Sequence, residues 1–508
     1  KNDRMKKRLQ GILACALLCA LLAAALPAPA SAADFADVPA THWAAEAIDR
    51  AAELGIIRGQ SASRFGLGQP MTRGAFVTVL CRLFGWEMIT PEQGSYTDNQ
   101  DKDAGYYSAV ETARAHGAIT DQTDTFRPRD AITREELAVM LVRAMGYGTI
   151  AGLAQDLPIP FQDVTTNVGY VAMAYELGLI KGTSGSKFSP DSPATREQAT
   201  VMLMRLYDGY HTAAPERIGI ADAAEDLTDL TGYEAVAVNG GRLIHAGGTR
   251  LTGQPEAEAA DALREAAEAA GAAPLLYLTA TSSVLRGDPE DTARLLAQAV
   301  EDGGYQGLFL DVEKLQSGQK KEYTELAAAV RQALGDKTLY LMAEAPVWQG
   351  TAYDGYDYGA LAELADRLVI RVAPYERETA EFPVAPMEPL EEVYYALAEL
   401  REQVDGSKLS LLLTTTGSAW NGSRSTGEIS AAEIKALLDA PKTQSYYADR
   451  YACAYLTAED GAAVWYLDGR AARERVRMAA FFGVDQVCLS DLASVADYDN
   501  YSLLSGLN

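Results

Sequence analysis

The chain has 508 residues, 70 of them acidic and 44 basic, for a net charge of −26. That length has room for about three domains, and that charge argues against nucleic acid or an anionic membrane as a partner. Four histidines and five cysteines are spread along the chain without ligand spacing, so no metal site is expected, and no motif asks for an organic cofactor.

The first residues read as a targeting segment. Lys6-Lys7-Arg8 lead into an apolar run from Gly11 to Leu26, and Ala30-Ser31-Ala32 is a small-residue cleavage site. Residues 1–32 are therefore expected to be a secretory signal peptide that starts at Met5. Their removal takes away five positive charges and one negative, moving the balance to −30. No later stretch has the ~20 apolar residues that span a bilayer, so no membrane insertion is expected after cleavage. Of the remaining cysteines, Cys81, Cys453 and Cys488, the last two leave a disulfide open beside the alternative of buried thiols.

From residue 34 the chain repeats itself. Met71-Thr72-Arg73, Ile132-Thr133-Arg134 and Ala194-Thr195-Arg196 place arginines 61 and 62 residues apart. A fixed period implies one supersecondary unit used several times. Other landmarks recur in order: Phe35-Ala36-Asp37, Tyr96-Thr97-Asp98 and Phe161-Gln162-Asp163; then Trp43, Tyr107 and Tyr170; then Gly55, Gly117 and Gly178; then Phe65, Phe126 and Phe188. Each unit predicts two helices with a loop between them. Helical periodicity runs from Ala44 to a stop at Gly55, and Thr72, Thr133 and Thr195 stand as N-caps before apolar-periodic segments. Arginine just inside a helix start opposes the helix dipole. Its threefold use suggests an anionic partner, and its fork suits a carboxylate.

This order resembles the S-layer homology domain in triplicate, over 34–84, 95–146 and 160–207. The resemblance implies non-covalent attachment to an acidic, often pyruvylated, secondary cell-wall polysaccharide, and hence an extracellular protein on the wall. In those terms Arg73, Arg134 and Arg196 grip the ligand acid and Trp43 packs against sugar. The bland alternative is that each arginine only braces the adjacent loop. Phe35, Phe65, Phe126, Phe161 and Phe188 read as core.

Composition loosens after Tyr210, and 208–230 reads as a linker. Beyond it, strand-like runs (Ala235–Val238, Leu275–Thr279, Leu308–Val312, Leu339–Ala343, Leu368–Val372, Leu409–Thr414, Gly483–Leu489) alternate with helical ones (Glu256–Ala270, Pro289–Glu301, Glu322–Leu334, Tyr358–Ala365, Pro389–Gln403, Ala471–Phe481). Such alternation predicts a parallel sheet, and residues 231–508 suit a (β/α)8 barrel. The fold class expected is thus an all-α three-repeat module followed by an α/β barrel. A doubly wound sheet is the alternative, without a Gly-x-Gly-x-x-Gly turn to support it.

One strand carries chemistry. In Gly307-Leu308-Phe309-Leu310-Asp311-Val312-Glu313, alternation puts Gly307, Phe309, Asp311 and Glu313 on one side. Two carboxylates then end the strand at the barrel mouth, where such barrels keep their active sites, in an arrangement that suits glycoside cleavage. The strand resembles the Asp-Gly-x-Asp-x-Asp-x-Glu signature of family 18 glycoside hydrolases, the branch that cleaves bacterial wall or spore-cortex glycan. Tyr356 to Ile370, Lys408 to Trp420 and Val464 to Asp468 resemble later segments of that branch.

The resemblance implies retaining hydrolysis of an N-acetylglucosamine-containing glycan, with Glu313 as acid and Asp311 steering the substrate's own N-acetyl group. Departures are visible: Gln306 and Phe309 replace two acids of the signature, Arg371-Val372-Ala373-Pro374 replaces the strand-six Met-x-Tyr-Asp, and Val487 stands where a sugar-stacking Trp belongs. Trp348, Tyr353, Tyr375 and Trp420 are the compensating aromatics, and Arg371 brings a new charge to the mouth. The competing reading is a catalytically inactive glycan-binding or structural envelope protein on the same fold.

Overall fold

The three repeats each fold as helix, loop, helix. The computed structural model describes residues 35–120, 123–156, 159–211, 213–222, 229–347, 353–372, 386–494 and 503–507, and its contacts divide the chain into two units at Asp208–Gly209. The expected signal peptide lies outside the described residues.

In the front unit the described helices are α1 Ala45–Glu53, α2 Arg73–Phe84, α3 Tyr107–Ala115, α4 Arg134–Ala144, α5 Gly148–Leu153, α6 Val168–Glu176 and α7 Arg196–Tyr210. The expected caps are in place. The Thr72, Thr133 and Thr195 hydroxyls accept from the backbone N–H of Ala75, Glu136 and Gln198, at 3.2, 3.1 and 3.4 Å. Gly55, Gly117 and Gly178 end their helices in the left-handed region, at φ 68°, 74° and 70°, where glycine has no Cβ to clash.

The repeats close into a ring rather than a stack. Ile132 N–H donates to Met71 C=O (2.8 Å), Met71 N–H to Ala194 C=O (2.9 Å), and Ala194 N–H to Ile132 C=O (2.9 Å). Met71, Ile132 and Ala194 are fully buried, so the residue before each Thr-Arg pair supplies the shared centre. The loop aspartates repeat as well. Asp37 accepts from Phe65, Gly66 and Leu67 N–H, Asp98 from Phe126 and Arg127, and Asp163 from Phe188 and Ser189.

The second unit is a closed parallel barrel of eight strands. They are β1 Glu216–Ala221, β2 Ala235–His245, β4 Ala273–Ala280, β5 Gly307–Val312, β6 Thr338–Glu344, β7 Arg367–Arg371, β8 Leu409–Leu413 and β14 Gln486–Leu489. They pair in that order, and β1 closes the circle by pairing with both β14 and β2. The strand β3 Thr249–Thr252 extends β2 as a hairpin. Helices α8 Ala257–Ala269, α9 Pro289–Asp302, α10 Lys320–Leu334, α11 Tyr358–Leu364, α12 Leu390–Leu400 and α14 Gly469–Phe481 lie between the strands in sequence. Alternate residues fill the interior: Ile218, Ala235, Ala237, Leu275, Tyr277, Phe309, Tyr340, Met342, Val369, Leu412 and Cys488 form one buried cluster.

One reading needs correction, and one sheet was not read at all. The segment 208–230 is not all linker, because β1 lies within it; its Glu216-Arg217-Ile218-Gly219-Ile220 carries only a weak apolar signal, and pairing on both sides makes it a strand. Between β8 and α14 the chain also forms a second, antiparallel sheet. This comprises β9 Gly417–Asn421, β10 Arg424–Ile429, β11 Gln444–Ala448, β12 Cys453–Thr457 and β13 Ala462–Tyr466, in the order β10-β9-β13-β12-β11. Its inner face packs Ala419, Ala454, Leu456, Val464 and Tyr466 against Ile434 of α13 Ala431–Leu438. Its polar edge strands concealed it. Cys81, Cys453 and Cys488 are buried free thiols, which closes the disulfide question.

Candidate functional site

The barrel mouth is built from the ends of β4 to β7. Phe309 points inward between Tyr277 and Tyr340, at ring separations of 5.2 and 6.0 Å, so the same alternation carries Asp311 inward one level above. Asp311 is fully buried. Tyr277 Oη donates to its Oδ2 at 2.8 Å, Arg371 Nη1 to its Oδ1 at 3.3 Å, and Arg371 Nη2 is in contact with Oδ2.

Arg371 also donates to Glu344 Oε1 at 2.8 Å. Glu344 ends β6 and is paired in register with Arg371; it is 4 % exposed. Burial raises the Glu344 pKa, with Arg371 acting in the opposite direction. Burial also works against the Arg371 charge, but Asp311 and Glu344 outweigh it and push its pKa above the usual value. Tyr358 Oη holds the Glu344 carbonyl (2.8 Å), and Tyr356 Oη holds that of Val312 (2.7 Å). The floor is a half-buried guanidinium clamped by two buried acids.

Glu313 stands just past β5. It is 30 % exposed by side chain and paired with Arg242 of β2 at 3.1 Å. Asp311 and Arg371 are therefore brought together, while Glu313 faces a different cation. Trp420 lies in β9, is 5 % exposed, and donates from Nε1 to Ser418 Oγ at 2.9 Å. Trp348 and Tyr375 lie outside the described residues. Val487 is buried in β14. Sequence reading missed Glu344 and Tyr277. Their signal was period-two placement, Tyr340-Met342-Glu344 and Leu275-Tyr277-Thr279, which puts both on the inner side.

Further round the mouth, Glu388 precedes α12 and is 3 % exposed. Thr414 N–H donates to its Oε1 at 3.0 Å, while Oε2 has no partner among the described residues. Burial pushes its pKa up to about 7. Arg475, fully buried, donates to the backbone carbonyls of Met387, Ala452 and Ala471 at 3.0, 2.5 and 2.9 Å.

In the front unit the three Thr-Arg arginines do one thing each, three times over. Arg73 Nε donates to Phe126 C=O (2.8 Å), Arg134 Nε to Phe188 C=O (2.8 Å) and Arg196 Nε to Phe65 C=O (2.9 Å). Each guanidinium also lies over the ring of that phenylalanine, at 4.7, 4.8 and 4.9 Å. Every arginine thus braces the loop of the next repeat round the ring. Arg73 and Arg134 are 8 % and 5 % exposed, and burial lowers the pKa of all three.

Two grooves open beside these braces. One, of about 300 Å³, is lined by Arg58, Thr72, Ala75, Arg82, Tyr106 and Arg196 among others. The other, of about 220 Å³, is lined by Arg73, Thr120, Glu136 and Arg143 among others. The aromatics Trp43, Tyr107 and Tyr170 are not one repeated position. They fall 12, 10 and 8 residues before Gly55, Gly117 and Gly178. Trp43 is 62 % exposed, Tyr107 is fully buried, and Tyr170 accepts from Arg143 Nε at 3.2 Å.

Among the described residues no group of three His, Cys, Asp or Glu is placed to hold a metal ion, and no helix is long and apolar enough to cross a membrane.

Comparison with known proteins assigns both units. The S-layer homology domain model matches residues 34–77, 95–138 and 160–200, and the model of glycosyl hydrolases family 18 matches residues 286–481. An endoglucanase of Bacillus sp. (strain KSM-635) is 28 % identical over 216 residues, 41 % of this chain and 22 % of that protein. S-layer protein EA1 of Bacillus anthracis is 27 % identical over 207 residues, 40 % of this chain and 23 % of that protein. The chain thus spans less than a quarter of the length of these curated relatives. The C-terminal domain of a putative chitinase from Desulfitobacterium hafniense DCB-2 has the same barrel fold, with a TM-score of 0.50 and 17 % identity over 58 % of this chain and 99 % of that one.

Proposed function

Since the chain carries three S-layer homology domains and a family 18 glycosyl hydrolase domain, we propose that it is a wall-anchored glycosidase acting on N-acetylglucosamine-containing glycan. The observation that carries this is the Asp311–Glu313 pair at the C-terminal end of β5, one carboxylate buried and fixed, the other facing the mouth. Glu313 gives its proton to the glycosidic oxygen as the bond to the anomeric carbon breaks. The substrate's own N-acetyl oxygen, oriented by Asp311, takes up that carbon. Water then opens the cyclic intermediate, and Glu313 recovers the proton. With Phe309 in place of a carboxylate of the signature, Arg371 and Tyr277 are the groups that fix Asp311.

The ring unit is proposed to hold a secondary wall polysaccharide through its grooves, which places the barrel outside the cell. The domain limits proposed are 34–84, 95–146 and 160–207 for the repeats, with the barrel beginning at Glu216 in place of residue 231. The Arg371–Asp311 ion pair favours a second reading, in which the barrel binds glycan without cleaving it, because a clamped acid is less free to steer substrate.

One measurement separates them: release of reducing ends from peptidoglycan and chito-oligosaccharides by the full chain and by Glu313→Gln, read by mass spectrometry. Turnover that falls about 10²- to 10⁴-fold in the variant supports the glycosidase. Glycan binding without products from either protein supports the second reading.

A further inference from the structure

The register of the barrel ladder is regular except at one point on β2. Ala235 and Ala237 belong to the interior cluster, and alternation carries the inward side on through Asn239. Between Asn239 and Arg242 the register against β4 shifts, so that Gly240 and Gly241 stand opposite Leu278 alone. The extra residue makes a bulge, which turns Arg242 inward and the fully buried Leu243 outward. Arg242 is level with Thr279, and Thr279 with Asp311. The Arg242 side chain therefore enters the mouth in the layer of the buried acid. Gly241 has φ 97°, and a Cβ on it would lie 2.4 Å from the Thr252 carbonyl oxygen. Asn239 pins the bulge, accepting from Gly241 N–H at 2.9 Å and donating to Asp222 at 2.7 Å. Bulges disrupt the ladder and are found where a side chain is re-aimed, often beside an active site.

The re-aimed side chain arrives at the acid. Arg242 Nη2 is 3.1 Å from Glu313 Oε2, and the two side chains are 47 % and 30 % exposed. A guanidinium has five N–H donors, and among the described residues Glu313 is the one partner of this side chain. Arg371 differs, because its donors go to Asp311 and Glu344 on the floor. An ion pair as exposed as Arg242–Glu313 contributes little to stability, so stability does not account for the bulge. Chemistry gives the pair another use. Glu313 must turn its acid to the oxygen of the leaving sugar, and Arg242 holds one oxygen of that acid. A carboxylate on the leaving sugar would draw the guanidinium off, because a two-pronged arginine–carboxylate pair is stronger than a single contact.

We propose that Arg242 is the specificity-determining residue of the barrel. It takes a carboxylate on the leaving sugar, and in doing so frees Glu313 for proton transfer. The substrate class is an acidic glycan, with a 3-O-lactyl ether or a hexuronic acid on the leaving side of N-acetylglucosamine. A lactyl ether that carries a peptide is free only once that amide has been hydrolysed, so for this acid amide hydrolysis is the class of reaction that supplies the substrate. The proposal rests on the glycosidase reading above and deepens it.

The test is kcat/KM of the full chain on β-linked N-acetylglucosaminyl glycans that differ only in the leaving sugar. The four leaving sugars are N-acetylglucosamine, its free 3-O-lactyl ether, the same ether capped as an amide, and a hexuronic acid. An acidic form is expected to be cleaved about 10- to 100-fold faster than either neutral form, the scale of a charge-assisted hydrogen bond. The two acidic arms show which acid fits. Arg242→Ala should lose that preference, falling on the acidic form and holding or gaining on the neutral ones. Arg242→Lys, which keeps the charge without the fork, should keep part of it. Unchanged melting temperatures are expected for both variants.

Equal cleavage of acidic and neutral forms by the wild type, or an equal fall of Arg242→Ala on both, overturns the assignment while leaving the glycosidase standing. Absence of turnover on all four by the wild type overturns the glycosidase reading and this inference with it.

Discussion

The ring and the barrel mouth both hold arginine against fixed partners, and they use its charge in opposite ways. Arg134 and Arg196 hold backbone carbonyls and lie over phenylalanine rings, neutral partners that leave the formal charge in place, and Arg73 does the same while also pairing with Glu136. Arg371 is held by two buried carboxylates, Asp311 and Glu344, and its charge is consumed. In sequence the three ring arginines leave open a grip on an acidic ligand or a brace for the adjacent loop, and Arg371 reads as a charge offered to substrate at the barrel mouth. The lesson is that an arginine's availability depends on what already faces it.

The largest stability effect that sharpens this contrast is at Arg371. Arg371→Met should cost about 3–5 kcal/mol, because it strands two buried acids, and Glu344→Gln added to it should restore part of the loss. Urea unfolding of the barrel checks both. Equal stability of Arg371→Met and wild type would mean that the clamp holds little charge.

Next comes the ring. Arg134→Ala should lose about 1–3 kcal/mol for each carbonyl left unpaired, Phe188 and Lys181 being the two at risk. Arg58→Ala, which removes an exposed side chain, should stay within about 0.5 kcal/mol. Thermal melts of the two variants separate a bracing arginine from an exposed one, and matching losses would contradict the division.

A smaller effect is pH-dependent. Glu388 is held near pKa 7 in the folded barrel, above its unfolded value of about 4.3, so the folded state keeps a proton that the unfolded state releases. Its contribution is full below the unfolded value and is lost as pH rises through about 7. Glu388→Gln should flatten the fall in barrel melting temperature between pH 5 and 8 that wild type is expected to show. An unchanged slope would assign the dependence to other groups.

Much of the barrel was legible because its strands are continuous apolar runs that stand out against amphipathic helices. The eighth strand, β1, was not, since Glu216, Arg217 and Gly219 dilute its pattern and only pairing with β14 and β2 makes it a strand. The antiparallel sheet of 417–466 hid for a related reason: β10 and β11 are polar edges, with one short core face between them. At the site, Asp311 and Glu313 were found by alternation, but Glu344 was passed over because an acid at a strand end ordinarily reads as solvated.

By itself the sequence determined the threefold period, the capped helices, seven of the eight barrel strands and the pair of carboxylates at the mouth, because each follows from local periodicity and residue chemistry. Tertiary structure decided that the repeats close into a ring, that Thr-Arg arginines reach across to the next repeat, and that Asp311 is clamped while Glu313 is not. Those facts depend on residues far apart in the chain, such as Arg196 and Phe65 or Asp311 and Arg371. Which charge meets which is set by packing and burial, and no local pattern encodes it.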